Sequence, residues 1–497
     1  STWSTPTARP TNETFPQGYP SNRDTMLLSI LSASNLLITL LVTLRVDAST
    51  VVNGISYSVD RILTRDFTVI GGGATGTYAA IRLKDLGHTV LVIEGKDRLG
   101  GHTETYHDPK TGGTTDLGVL IWHNSTLVRA FFDRLNVSLI TSSLGTLGSN
   151  GSTAYIDFQT GKPVPAYSPA VPIAALTKYA EVLAQYPYVA SGFDLPYPVP
   201  DDLLMLFGDF VVEYGLQDLV GLLGSFTQGF GDILKMPTLY IFKYFGLDLI
   251  SSLQTGFLTT ALHDNSLLYE NASADLGQDV VLSSTILAVD RSGNDGVKVI
   301  IKTPSGITFI KSRKLIFTIP PKVKNLQGWD LDCNETSLFG QFSNFGFYAG
   351  ILRNSGIPDN LSITNVSPNT PYNLPPLPAI YTITPSGVAG LLSLTFGSVS
   401  DLADEEAKQQ IISSVENLQV NRTGPNNPEL AMYSSHTPYE LTVPASAIAG
   451  GFYKSLYSLQ GERHTWYTGA AFHIHDSSQL WQFTEALLHN ITASLPA

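Results

Sequence analysis

The apolar run Phe67-Thr68-Val69-Ile70 leads directly into Gly71-Gly72-Gly73-Ala74-Thr75-Gly76, and this junction constrains the fold more than any other part of the chain. A short β-branched run of this kind reads as a buried strand. The residues that follow, TYAAIRLKDLG, space their apolar positions helically and stop at Gly87, a residue suited to a left-handed helix end. Thr89 to Ile93 is a second apolar run, with Glu94 at its end. Strand, G-x-G-x-x-G, helix, strand and acid make a Rossmann-type βαβ unit. Gly71 permits the tight turn, Gly73 lets backbone approach a pyrophosphate, and Gly76 allows the helix to pack closely on the strand. Gly72, Ala74 and Thr75 share that turn at the helix N-terminus, where unpaired N–H groups face the phosphates, and Glu94 is placed to accept the ribose hydroxyls. The chain is thus expected to bind a dinucleotide. The motif alone does not choose between nicotinamide and flavin.

Composition narrows the function classes. A chain of 497 residues with 43% hydrophobic content has room for one large two-domain enzyme or two to three ordinary domains. The net charge is -13 and the 29 Lys plus Arg are scattered, so no nucleic-acid footprint is visible. The single cysteine, Cys333, excludes an intramolecular disulfide, a cysteine-based metal cluster and a redox-active thiol pair. Redox chemistry in this chain therefore needs a cofactor.

Residues 1–25 form a polar extension, after which Met26 opens the run MLLSILSASNLLITLLVTL. With Val46 and Ala48 as small residues before a cleavage point, 26–48 reads as a signal peptide. The competing reading is an uncleaved membrane anchor, which Ser32, Ser34 and Asn35 weaken. Asn-x-Ser/Thr sequons occur at Asn12, Asn124, Asn136, Asn150, Asn271, Asn334, Asn360, Asn365, Asn421 and Asn490. Leader and sequons together predict a secreted or secretory-lumenal glycoprotein, with no stable membrane insertion after cleavage.

Lys96-Asp97-Arg98-Leu99-Gly100-Gly101-His102-Thr103-Glu104-Thr105 resembles the second glycine motif of the flavin amine-oxidase superfamily, and Thr115-Asp116-Leu117-Gly118 resembles its D-x-G turn. GGGATGTYAAIRLKDLGHTV, DRLGGHTETYHDP and DLGVLIWHN are similar to the fungal β-cyclopiazonate dehydrogenase group. The resemblance implies an α/β fold with a Rossmann-type FAD-binding domain in three parts, 66–124, 275–327 and 455–497. An interleaved α+β substrate domain would occupy 125–274, which is helix-rich, and 328–454. It implies FAD contacts from Arg98, Gly100, Gly101, His102 and Thr103, an adenine contact through the backbone of Ile286, and a flavin contact at Gly469. The helix opening at Ser477 and Ser478 would aim its positive end at the flavin pyrimidine edge.

Three departures from the superfamily pattern matter. The strand Phe342–Tyr348 has no Lys, where amine oxidases usually place one beside the flavin. His102 replaces a common Arg, which shifts phosphate neutralisation to Arg98, backbone amides and the helix N-terminus. Cys333 lies far from the C-terminal position used for covalent attachment, so FAD is expected to be non-covalent. Trp122, His123, His473 and His475 are candidates to face the flavin, with His475 the first choice beside the ring, as an acid/base residue or a hydrogen-bond donor to N1 and O2; a histidine that only packs or caps the helix is the other reading. His473 and His475 lack the further ligands a metal would need. The aromatic group Tyr240, Phe242, Tyr244 and Phe245 is expected to pack a core rather than line a pocket.

The resemblance implies two-electron oxidation of a C–H or N–H bond in a small hydrophobic secondary metabolite, indole-containing and cyclised on oxidation as in that group. Oxygen or another acceptor would then reoxidise the flavin. Oxidation of mono- or polyamines, a redox-neutral isomerisation, and a ligand-binding flavoprotein without turnover are the other readings. The oligomeric state is not legible.

Overall fold

The computed structural model describes residues 48–142, 152–167, 169 and 172–495. Most of the expected leader lies outside these residues; Ala48 opens a strand, Ala48–Val52, that pairs antiparallel with Ile55–Val59. This hairpin packs Val52 and Val59 on Ile300 and Phe309, so the folded unit begins well before residue 66.

Strand Arg61–Ile70 is central in a seven-stranded sheet. It runs parallel to Val90–Ile93 on one side and to Gly306–Phe317 on the other, with Phe67 opposite both Val90 and Lys314. The short strand Thr465–Tyr467 joins parallel to the end of Gly306–Phe317. Thr285–Asp290 and Val297–Thr303 extend the sheet antiparallel. Phe67–Ile70 and Val90–Ile93 are buried throughout. Both faces are covered, which is why these runs read as continuously apolar instead of alternating.

Helices Ala74–Asp85 and Ser477–Ala493 pack together on one face, with Tyr78 stacked on Trp481 at 5.7 Å between ring centroids. Two further helices join that layer through Phe131 and Phe132 of Thr126–Arg134 and through Leu268 and Tyr269 of Leu267–Leu276. The boundaries expected at 125 and 274 are thereby corrected. The apolar faces of both helices close the nucleotide-binding core, although their sequences lie outside the βαβ pattern.

The second part is an eight-stranded sheet in which Ser343–Arg353 pairs with Glu429–Ser435, Leu391–Ser398 and Tyr439–Thr442. Helix Asp404–Asn417 covers its outer face through Ala407, Ile411 and Val415. Short helices between Ile173 and Thr255 roof the inner face. Tyr240, Phe242 and Phe245 lie in their core, as the aromatic spacing suggests, whereas Tyr244 reaches the cavity described next.

Candidate active site

Between the two sheets runs a cavity of about 650 Å³. Its nucleotide end is made of glycine backbone. Gly100 N–H donates to the Gly72 carbonyl at 2.8 Å, laying the second glycine loop against the first. A Cβ on Gly101 would lie 2.9 Å from Gly73 Cα, and one on Gly71 would lie 2.6 Å from Thr318 Oγ1. A Cβ on Gly76 would collide with the Gly71 carbonyl oxygen. Helix Ala74–Asp85 starts at Gly73 with no side chain capping it, so its first-turn amides are open to an anion.

Gly71, Gly73, Ala74, Thr75, Glu94, Gly100, Gly101, His102, Thr103, Gly469, His475 and Ser477 all line the cavity. Gly72, Gly76, Arg98, Ile286 and Ser478 are not among its lining residues. Gly72 acts through its amide, which donates to Glu94 Oε2 at 2.6 Å and fixes the acid at the strand end. Arg98 does not serve as a free phosphate ligand. Its guanidinium donates to the carbonyls of Leu99, Gly101 and Thr103 and pairs with buried Glu104, so its charge shapes the loop. Ser478 is likewise turned away, its hydroxyl accepting from the His123 amide at 2.9 Å. Ile286 sits in strand Thr285–Asp290, clear of the cavity wall.

His102 is half-buried and stacks on His436 at 4.4 Å and on His475 at 5.8 Å. Burial, with His436, His475, Lys96 and Arg98 nearby, holds its imidazole well below the usual histidine range. His102 is therefore neutral and cannot supply the charge of the arginine it replaces. Burial also pushes His436 down to about 3. Phosphate stabilisation at this end rests on backbone amides and the helix end.

The cradle passes a test of fit for FAD. His123 Nδ1 and His436 Nε2 are buried with no hydrogen-bond partner among the described residues and belong to lining residues, as expected where a polar cofactor completes the bonding. The Gly73–Gly101 approach excludes a side chain at Gly101, whose Cβ would press on Gly73 Cα, and keeps the two loops in backbone contact.

Of the four residues expected near the flavin, His123 and His475 line the cavity. Trp122 packs instead against Phe132 and Trp481. His473 bonds to the Ala190 carbonyl at 3.1 Å, beside buried Lys243. His475 Nδ1 lies 3.0 Å from Glu440 Oε1, and His123 Nε2 lies 3.3 Å from Asp476 Oδ2. Asp476 also caps helix Ser477–Ala493 by accepting from Gln479 N–H, so the positive helix end expected at Ser477 is offset by a carboxylate. Among the described residues no group of three or more His, Cys, Asp or Glu is arranged to hold a metal ion.

Glu440, His436, Tyr439 and Asp476 carry no motif in the sequence. The one available signal is Asp476 three residues before Gln479, an N-cap position; His436 and Tyr439 line the cavity only once the strands pair, and Glu440 reaches it only through His475.

A family model for an NAD(P)-binding Rossmann-like domain matches residues 69–135. The FAD-dependent oxidoreductase oblC of Cochliobolus heterostrophus is 39% identical over 454 residues, covering 88% of this chain and 93% of the relative. The β-cyclopiazonate dehydrogenase of Aspergillus oryzae is 34% identical over 437 residues, covering 87% and 94%. Among solved structures, a fatty acid isomerase from P. acnes matches with a TM-score of 0.69 at 21% identity, over 86% of this chain and 98% of that one. Cyclohexylamine oxidase from Brevibacterium oxydans matches with a TM-score of 0.59 at 15% identity, over 86% and 99%. At those identities the structural matches establish the fold. A Rossmann-type cradle joined to a second sheet over one cavity defines an amine-oxidase-like fold, the architecture these solved structures share with the chain. More narrowly, the chain belongs to the family of FAD-dependent oxidoreductases that includes β-cyclopiazonate dehydrogenase, and FAD is its cofactor.

Proposed function

We propose that this enzyme oxidises an uncharged, largely apolar secondary metabolite at a C–H or N–H bond, with FAD held non-covalently. The observation that carries this reading is the composition of the cavity beyond the glycine cradle. Leu222, Phe226, Leu249 and Phe257 line it, and among the described residues no Lys or Arg does. Strand Ser343–Arg353, where amine oxidases of this superfamily place a lysine, has none on its cavity-facing stretch. Lys322 is spent on the Phe342 carbonyl, and Lys243 on those of Val189 and Gly192. This set disfavours fast oxidation of mono- or polyamines.

Bound FAD supplies the two-electron acceptor, and oxygen or another oxidant regenerates it. His475 holds the proton. A carboxylate only accepts, so the ring donates from Nδ1 to Glu440, which leaves the Nε2 lone pair to take a proton from a substrate O–H or N–H. Glu440 is buried and has φ 47°, a strained conformation for a non-glycine residue that is maintained at the point where it holds His475. Tyr439 packs against His475 at 4.3 Å between ring centroids and restrains the ring. The apolar roof excludes water from the reacting bond. Ring closure after oxidation, and an indole in the substrate, are the finer expectations drawn from the β-cyclopiazonate dehydrogenase relatives.

The test is anaerobic mixing of the holoenzyme with candidate metabolites and amines, with wild type beside His475→Phe and Glu440→Gln. Flavin reduction by an uncharged metabolite, slowed roughly 10²–10⁴-fold by His475→Phe at unchanged FAD content, is the expected result. Reduction by amines alone would contradict it. Substrate rearrangement with no acceptor consumed would assign the redox-neutral isomerase instead.

The leader and the exposed sequons Asn136, Asn334, Asn360, Asn421 and Asn490 support passage through the secretory pathway. A glycosidase-sensitive mobility shift tests this. Asn365 is corrected as a glycan site: it is buried and its amide donates to the Ile380 carbonyl at 2.7 Å. Among the described residues no helix is long and apolar enough to cross a membrane.

A further inference from the structure

The inner face of the second sheet carries a row of hydroxyls that the chemistry above does not use. Thr382 and Thr384 lie on strand Ala379–Pro385, and Ser393 and Thr395 on Leu391–Ser398. Thr382 pairs with Thr395 and Thr384 with Ser393 in the antiparallel register, so the four form one patch, and all four line the cavity. Their alternates Ile383 and Leu392 point to the other face, into the core with Ile411 and Val415. Opposite the hydroxyls stand the apolar roof residues Leu222, Phe226 and Phe257. None of these side chains is charged.

The row is polarised toward one residue. Thr395 Oγ1 lies 2.6 Å from Gln228 Oε1. An amide oxygen only accepts, so Thr395 donates there. Its own proton is then used, and Thr382 Oγ1, 3.1 Å away, must be the donor to Thr395. The chain Thr382→Thr395→Gln228 holds the amide with its oxygen against the sheet, and leaves the NH₂ group of a lining residue without a hydrogen-bond partner among the described residues.

We propose that Gln228 reads a ring-borne carbonyl oxygen of a flat, uncharged substrate, with Thr395 and Thr382 as positioning residues that fix its amide. The proposal rests on the reading of this cavity as the substrate site of a FAD-dependent oxidoreductase, and it adds the functional group that the site selects. An ammonium group between the hydroxyl floor and the apolar roof would lose its hydration, since neither supplies a carboxylate and the lining carboxylates Asp116 and Asp476 are already engaged by Thr105 and Asn265 and by His123. A carbonyl between apolar roof and hydroxyl floor keeps its hydrogen bond while its ring is desolvated.

The experiment is calorimetric titration of the purified holoenzyme with chromone, indole and benzylammonium, with FAD content measured on the same sample. Chromone is expected to bind about tenfold more tightly than indole, the weight of one neutral hydrogen bond in a dry site. Gln228→Leu removes that advantage and leaves indole unchanged. Thr395→Val weakens chromone in part, and the double variant binds it no worse than Gln228→Leu, because Thr395 acts through Gln228. Equal loss for all three probes in Gln228→Leu, no loss for chromone, or tightest binding of benzylammonium would overturn the proposal. A sample without FAD would count against the function reading, whereas a FAD-loaded sample lacking this selectivity would count against Gln228 alone.

Discussion

Gly101 has φ +60°, and a Cβ there would press on Gly73 Cα at 2.9 Å. Gly101→Ala is therefore expected to strip FAD while leaving the circular dichroism spectrum intact, since the clash falls on the two loops and not on the sheet. Flavin absorbance per protein measures it. Asp116 makes a second residue-scale prediction. Burial, with Asp264 nearby, raises its pKa to about 6 against the hydrogen bonds from Thr105 and Asn265. An acid whose folded pKa lies above its unfolded value takes up protons on folding. Its contribution is most favourable at low pH and is lost as pH rises from about 4 through 6. Asp116→Asn should thus gain stability relative to wild type at pH 8 and lose that gain near pH 4, read from urea midpoints. The glycines of both loops were legible because their job is backbone geometry, which sequence encodes directly. Arg98 and His102 were not, because the fate of a charge depends on neighbours brought in by the fold, Glu104 for the one and His436 for the other.

The strands and the helix of the βαβ unit were read from periodicity alone, since burial on both faces leaves an unmistakable apolar run. Helices Thr126–Arg134 and Leu267–Leu276 were assigned to the wrong part because an amphipathic face does not say which core it meets. The link between the sheet and helix Cys333–Phe339 was also invisible in sequence. Arg291, at the end of strand Thr285–Asp290, is buried and bonds Glu335 at 2.6 and 2.8 Å and Asp330 at 2.8 Å, while Arg463 and Tyr467 contact the same acids. Glu335→Ala removes one of the two carboxylate partners of Arg291 in a dry site, with Asp330 remaining, and is expected to destabilise by about 1–3 kcal/mol. A chemical denaturation midpoint shift of that size, with FAD affinity of the surviving folded fraction unchanged, is the signature of a structural joint remote from the cavity.

At the scale of the whole molecule, the three stretches returning to the Rossmann sheet and the two forming the second sheet enclose one cavity with a phosphate cradle at one end and a chamber of hydroxyl floor and apolar roof at the other. The interleaving was legible through resemblance in the glycine motifs and the C-terminal tail. The chamber was not, because its hydroxyl floor and apolar roof come from segments far apart in sequence with no shared motif. FAD binding should raise the thermal midpoint in proportion to the logarithm of free FAD, since the cradle exists only in the folded chain. The most direct test of the account is the visible spectrum of the purified protein, taken before and after acid precipitation and then during anaerobic addition of uncharged ring ketones, indoles and amines. The account predicts a yellow protein whose FAD appears in the acid supernatant and whose colour is bleached by an uncharged metabolite. A colourless protein that cannot be reconstituted with FAD, or a flavin reduced by amines alone, would contradict it.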